Sequence, residues 1–424
     1  MFIPELISYA DIIIFKVKLS ILKPKQTIVF LIFTAMLATL VIMSLVNSGS
    51  GQFTELAKAF DHGQLNFLSS IGGYGQDPVL YHGKIYWDEG PFPAILLMPF
   101  VWLYGLFHAF FYQNYLQFPI VLGVIYLTYK LARKIRYSIE DSLILMTGFV
   151  LGSVFIGVAS VASSWLFAQA ITAFLLLWSL YEYLGKKRWW LIGSICGMLV
   201  LTRISAAPIA IFFVLEILNE HKEKVKKILS LTKLLLPVVF AGTLVGLYNY
   251  LRFHNPFQGG YAYQLLSKGQ AESRALGVVS PDHIPTNLYH MLLGVPDVVL
   301  KYANSWVLKP PYIKNNEYGL SIFFTSPYLL HIFTHKWSTF TPQARHLLIA
   351  AGVSCLFILS AFAVGKDQFG YRYSLDFLPE LFLLFMIMYK SNQHKLSNGM
   401  KTLILSSSTI NFFLLLMYLN SVRG

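Results

Sequence analysis

Charge is what this sequence lacks. Only 12% of its 424 residues are Asp, Glu, Lys or Arg, while 56% are hydrophobic. A soluble domain carries about 25% charged residues, so a water-soluble globular chain is excluded and the bilayer becomes the natural solvent. Cysteine is scarcer still. Cys196 and Cys355 lie far apart inside apolar segments, read as small core residues, and say nothing about redox compartment. No His-x-x-x-His or Cys pairing among the histidines, the His331/His335 spacing included, makes a convincing metal site, so neither a metal nor another cofactor is expected. There is no phosphate-binding P-loop and no nucleophile elbow. No internal repeat or inverted pair of interrupted helices of the transporter kind is visible. The first 26 residues lack a small-residue cleavage site, so no cleavable signal is expected.

What the chain has in quantity is apolar runs near the ~20 residues that one crossing requires. They fall at 27–47, 91–111, 115–134, 141–162, 166–184, 189–203, 205–219, 229–250, 319–334, 345–364, 372–389 and 402–420. The expected fold is therefore all-α, a single integral-membrane domain over 1–424 with about eleven or twelve transmembrane helices. The formal net charge of +13 reflects topology rather than nucleic acid. Lys16, Lys18, Lys23 and Lys25, Lys186-Lys-Arg188, the run from Lys222 to Lys227, and Lys390, Lys395 and Lys401 all sit beside or between apolar runs. Basic residues in short loops place those loops in the cytoplasm and attract anionic lipid. Residues 3–22 read as an amphipathic helix on that surface.

Two long connections, 48–90 and 252–318, are then expected to share the opposite, extracytoplasmic face. In the first, Phe53-Thr-Glu-Leu-Ala-Lys-Ala-Phe60 has helical apolar spacing and reads as a surface helix ending near Gly63. A glycine-rich turn at Gly72, Gly73 and Gly75 follows. Short helices are expected around 285–305. One parity problem arises. If 91–111 crosses fully, the basic stretch from Lys130 to Arg136 lands outside, against the charge rule; either that segment is short or re-entrant, or this loop breaks the rule.

The densest chemistry is in Tyr81-His-Gly-Lys-Ile-Tyr-Trp-Asp-Glu-Gly-Pro-Phe-Pro93, a polar loop feeding a proline-started helix. It offers Lys84, Tyr86, Asp88 and Glu89, with Asp61 and Asp77 upstream. Arg203 is embedded between two apolar runs, Asn249, Arg252 and Tyr261 border the second connection, and Tyr371 and Arg372 precede the run at 372–389. An ionisable residue at a span is a functional candidate, because burying it unpaired costs several kcal/mol. The competing reading for Arg203 is a structural arginine paired with a carboxylate, and for Arg372 an interfacial anchor. Arginines and a lysine beside lipid suit a lipid-linked phosphate, and a carboxylate suits removal of a proton from an incoming hydroxyl. For each loop carboxylate taken singly, plain solvation competes with that role.

Assembled in this order, the motifs resemble the C-type (GT-C) superfamily of integral-membrane glycosyltransferases. The resemblance is to bacterial relatives of the dolichyl-phosphate-mannose protein mannosyltransferases and the lipid A aminoarabinose transferases. It rests on Ala57-Lys-Ala-Phe-Asp-His-Gly63 followed by the loop from Tyr81 to Pro91, on Gly197-Met-Leu-Val-Leu-Thr-Arg203, and on Asn255-Pro-Phe-Gln-Gly-Gly-Tyr261 paired with Phe369-Gly-Tyr-Arg-Tyr373. The resemblance implies a multi-pass cell-membrane enzyme that moves a sugar from a polyprenyl-phosphate-linked donor to an extracytoplasmic acceptor. It also implies a carboxylate base in the first outer loop. Two departures stand out. The acid that relatives carry at the start of the surface helix, around Ser48 and Gly49, is missing, and Glu89 and Gly90 occupy the place of a lysine before the proline. The base then has to come from Asp88, Asp77 or Asp61, and the phosphate ligands from Lys84, Arg203, Arg252 or Arg372. A non-catalytic carrier, flippase or degenerate relative is the alternative; charges gathered at one face rather than at mid-span favour the enzyme.

Overall fold

In a computed structural model, residues 24–68, 77–220, 222–303 and 305–423 are described. The expected amphipathic helix at 3–22 and the turn at Gly72, Gly73 and Gly75 lie outside them. The described chain is a helical bundle whose elements run α1 (Pro24–Val46), α2 (Gln52–Asp61), α3 (Phe92–Gly105), α4 (Asn114–Lys134), α5 (Ile139–Val150), α6 (Phe155–Ser160), α7 (Ser164–Tyr183), α8 (Trp189–Thr202), α9 (Ile209–Glu220) and α10 (Lys224–Phe253). After α11 (Lys268–Ala275) and α12 (Ile284–Leu293) come α13 (Ile322–Thr325), a 3-10 stretch at Pro327–Thr334, α14 (Pro342–Leu359), α15 (Leu378–Asn392) and α16 (Asn398–Arg423). Among the described residues, six helices are long and apolar enough to cross a membrane unaided: α1, α4, α7, α10, α14 and α16. The protein is a multi-pass membrane protein.

Side-chain and capping chemistry explains where the helices start. Ser138 accepts a hydrogen bond from the Asp141 backbone N–H at 3.0 Å and so caps α5. Thr341 does the same for Ala344 at 3.2 Å, with Pro342 opening α14. Two expected spans are composite. The run at 141–162 is split into α5 and α6, and 319–334 is a short α-helix followed by 3-10 turns. The long connections also carry small sheets that helical periodicity did not reveal. Strands β1 (Val79–Tyr81) and β2 (Lys84–Tyr86) form an antiparallel hairpin, as do β3 (Asp297–Leu300) and β4 (Leu308–Lys314). Short helices were expected around 285–305; α12 covers Ile284–Leu293, after which the chain turns into β3.

The parity conflict is resolved by the placement of α3 (14 residues), whose start and following loop both pack at the same end of the bundle. Its start packs against the last turn of α8: a Cβ on Gly90 would lie 2.1 Å from the Leu201 carbonyl oxygen. The loop after it returns to the same end of the bundle. There Thr54 donates to the Phe111 carbonyl at 3.0 Å, and the Gln113 amide donates to the carbonyls of Ser50 and Ala162 at 3.0 and 2.9 Å. Helix α3 therefore lies along one end without crossing. With α3 set aside, α1, α4, α5–α6, α7, α8, α9, α10, 322–334, α14, α15 and α16 read as eleven passes among the described residues, six of them long and apolar enough to cross alone. Lys130 to Arg136 consequently falls at the same end as Lys186, Lys222, Lys390 and Lys401. Residues 48–68, 77–90 and 254–318 gather at the other.

Candidate active site at the carboxylate-rich end of the bundle

The site is built where the two long connections meet the ends of α8, α10 and the segment before α15. Gln264 forms an isolated bridge with Val79, and the Leu265 N–H donates to the Pro78 carbonyl at 2.9 Å, so the second connection is stitched to the first. The β1–β2 hairpin then delivers Trp87, Asp88 and Glu89 inward. Gly90 is required at the exit, since any side chain there would collide with the α8 backbone. A second close approach sets the opposite wall. Gly319 at φ 88° and Gly370 at φ 67° use backbone conformations open to glycine. A Cβ on Gly319 would meet the Gly370 carbonyl at 2.4 Å, which brings the segment carrying Tyr371 and Arg372 against α13.

Asp88 and Glu89 are both buried, at 8% and 9% exposure. The Gln264 side-chain amide donates to Asp88 Oδ2 at 2.9 Å. Asp88 Oδ1 and Glu89 Oε2 are buried without a hydrogen-bond partner among the described residues. Burial, reinforced by the negative charges of Glu89 and Asp77, holds the Asp88 carboxyl well above the ordinary carboxylate range. Burial also raises Glu89, against the pull of Arg203 and Arg372, to about 7. Adjacent buried carboxyls titrate as a pair, and burial holds both above the ordinary carboxylate range.

Three arginines surround the pair and differ in how they are used. Arg203 Nε donates to Asp376 Oδ1 at 2.9 Å and Nη2 to Oδ2 at 3.0 Å, while Nη1 lies 3.6 Å from Glu89 Oε1. Ser205 also donates to Asp376. The charge of Arg203 is thus already offset, as in the competing structural reading, and it fixes Glu89 to the segment before α15. Arg252, 3% exposed, donates to the Trp87 carbonyl at 2.6 Å and to Asn249 Oδ1 at 2.8 Å, and its guanidinium lies 3.8 Å from the Tyr248 ring centroid. Arg252 and Asn249 thus support the backbone immediately before Asp88. Arg372 donates to Gln169 Oε1 at 3.3 Å and lies 4.7 Å from the Tyr373 ring. Among the described residues no carboxylate is within ion-pairing distance of Arg372 or Arg252.

The remaining expected residues separate cleanly. Asp77, in a left-handed conformation at φ 69°, lies within electrostatic reach of Arg372; burial raises its carboxyl, while a Gln270 side-chain hydrogen bond and Arg372 pull it down. The Tyr261 ring is partly exposed, but its hydroxyl is desolvated and faces the field of Asp88, Glu89 and Arg203. Burial first, and those carboxylates second, push it up, so it stays protonated. Tyr86 is buried against Phe253, ring centroids 5.2 Å apart. Asp61 and Lys84 are exposed and are not brought to the cluster. The Tyr371 hydroxyl donates to Asn287 Oδ1 at 3.0 Å, inside a small satellite core.

Sequence reasoning gave no role to Gln264, Gln169, Ser205 or Asp376. Gln169 did carry a signal, a glutamine within the apolar run 166–184; Gln264 carried none, being one polar residue in a polar loop. At the start of α2, where the resembling family carries an acid, a neutral network stands instead: Ser164 donates to Gln52 Oε1 at 2.6 Å, and the Phe53 N–H to Gln113 Oε1 at 3.0 Å. Among the described residues no group of three or more His, Cys, Asp or Glu is arranged to hold a metal.

The chain matches no protein-family model. No curated protein matches it either. Among solved structures it is similar to the oligosaccharyltransferase of Archaeoglobus fulgidus in its apo form, at 12% identity and TM-score 0.45, over 90% of this chain and 55% of that one. It is likewise similar to the same archaeon's oligosaccharyltransferase AglB in complex with an inhibitory peptide and a dolichol-phosphate, at 12% identity and TM-score 0.42, again over 90% and 55%. The chain thus spans about half the length of these proteins.

Proposed function

We propose that the protein is a membrane glycosyltransferase that moves a sugar from a polyprenyl-phosphate-linked donor to a hydroxyl-bearing acceptor at the extracytoplasmic face. The observation that carries this reading is the buried Asp88–Glu89 pair facing arginines at the end of the bundle remote from the basic loops. Short loops rich in Lys and Arg stay in the cytoplasm, which assigns the carboxylate end to the outside. Arg372, with no carboxylate of its own, is the proposed ligand of the donor phosphate, where a guanidinium makes charge-assisted contacts. Negative charge builds on that phosphate as the sugar–oxygen bond breaks, and a fixed cation stabilises it.

The acceptor hydroxyl must lose a proton as it attacks. A carboxyl raised to about 7, as Glu89 is, suits this, because a general base works best with a pKa close to the working pH. Asp88, anchored by Gln264, and Glu89, anchored by Arg203, form the proposed base, with Asp77 lining the approach and the Tyr261 hydroxyl available to donate to substrate. The test is transfer by purified protein in lipid from radiolabelled polyprenyl-phosphate sugars to membrane-derived acceptors. Labelled product from one donor of the panel is expected. Donor binding that is never followed by transfer would instead favour the non-catalytic carrier.

A further inference from the structure

The opposite end of the bundle holds a cavity that the proposed chemistry does not use. Its volume is about 650 Å3, and it is lined by the α4–α5 turn (Arg133, Arg136, Tyr137) and by the region around the α15–α16 turn (Lys390, Lys395, Lys401), with His394 at the rim. Five basic residues face two acidic ones, Glu140 and Asp141. Both acids are taken by a single cation: Lys401 Nζ is 2.6 Å from Glu140 Oε1 and 3.1 Å from Asp141 Oδ1. Arg133, Arg136, Lys390 and Lys395 have no carboxylate partner among the described residues.

Two of these cations, Arg133 and Lys390, are held in place by their surroundings. Arg133 donates to the Tyr137 carbonyl and Lys390 to the His394 carbonyl, each tying a charge to its own turn. The Lys390 ammonium also lies 4.9 Å from the Tyr137 ring. Tyr137 forms a fixed floor, 1% exposed, with its hydroxyl donating to the Met386 carbonyl at 2.9 Å. A topology signal requires only that basic residues occupy a cytoplasmic loop. It does not require two turns, far apart in sequence, to bring like charges to the lining of one concavity.

We propose that this cavity binds a phosphate anion, carried either by an anionic lipid headgroup or by a soluble phosphorylated compound. Basic pockets between helices at the cytoplasmic side suit such headgroups, each cation adding appreciably to the attraction. The Arg133 and Arg136 guanidinia can engage phosphate oxygens in pairs, and the lysines supply point charge. The site is independent of the sugar-transfer reading.

The test compares the intact protein with Arg136→Gln/Lys395→Gln and with a control of equal charge loss elsewhere at the same end, Lys222→Gln/Lys224→Gln. Native mass spectrometry reads retention of phosphatidylglycerol against phosphatidylcholine, and thermal unfolding reads stabilisation by inorganic phosphate. Retention of phosphatidylglycerol that falls about tenfold or more in the cavity variant, and stays at the parent level in the control, assigns the site to a lipid headgroup. No lipid preference, with phosphate stabilising the parent and the control but not the cavity variant, assigns it to a soluble compound. Absence of both effects, or equal losses in the two variants, overturns the proposal. The single Arg136→Gln variant repeats the comparison if the double variant fails to insert.

Discussion

Arg203 and Asp376 join parts of the chain far apart in sequence through two near-parallel hydrogen bonds of 2.9 and 3.0 Å. Asp376 is fully buried, and the same guanidinium reaches Glu89 at 3.6 Å. One arginine therefore locks the first long connection to the segment that carries Arg372. Removing one member of a buried pair strands the other charge, at about 3–5 kcal/mol. Asp376→Asn and Arg203→Gln are each expected to destabilise by that order in detergent unfolding. The double variant should recover part of the loss, since neither charge is then orphaned. Strictly additive losses would show that the pair is not coupled.

The raised carboxyls make stability depend on pH in a defined direction. Glu89 moves from 4.5 to about 7 on folding, so between those values the folded state holds more protons than the unfolded one. Stability is then fully present below about 4.5 and is lost as pH rises through about 7, a fall of roughly 3 kcal/mol from this group. Asp88 shifts the same way. Glu89→Gln should flatten the profile across that window. A parent protein that gains stability from pH 5 to 7 while the variant does not would contradict the burial of this carboxyl.

Topology is tested by impermeant thiol labelling of single cysteines in intact cells. Lys84 and Lys301, from the two long connections, are expected to label, and Lys187 is not. His108 decides the placement of α3. It should label together with Lys84, because both ends of α3 lie at the same end of the bundle; labelling of Lys84 alone would mean that α3 crosses.

Much of the bundle was legible because a span imposes a length and a hydropathy that no tertiary contact overrides. The basic loops indicated which ends go together, while the conflict at Lys130 to Arg136 left open whether 91–111 falls short of crossing or the loop breaks the charge rule. The composite span at 322–334 was less legible in kind, since periodicity does not separate 3-10 turns from α-helix in a short apolar run. Strands β3 and β4 were missed because a partly exposed hairpin over a polar loop carries little alternation. At the site, Arg203 and Arg372 stood out as charges at span ends, but the sequence could not show that Asp376 had already claimed the first. Gln264 acquires meaning only through the bridge to Val79, which no local pattern encodes. Asp61 and Lys84 offered the same chemistry, and the fold leaves both exposed.

The central claim is that the buried pair, and not an exposed loop acid, takes the acceptor's proton. The most direct measurement is the rate of sugar transfer from a polyprenyl-phosphate donor by Asp88→Asn, Glu89→Gln and Asp61→Asn proteins with matched insertion and donor binding. Loss of the base should cost about 100-fold or more in the Asp88 and Glu89 variants, with Asp61→Asn close to the parent. Transfer that survives in both pair variants and fails in Asp61→Asn would contradict the account and move the base to α2.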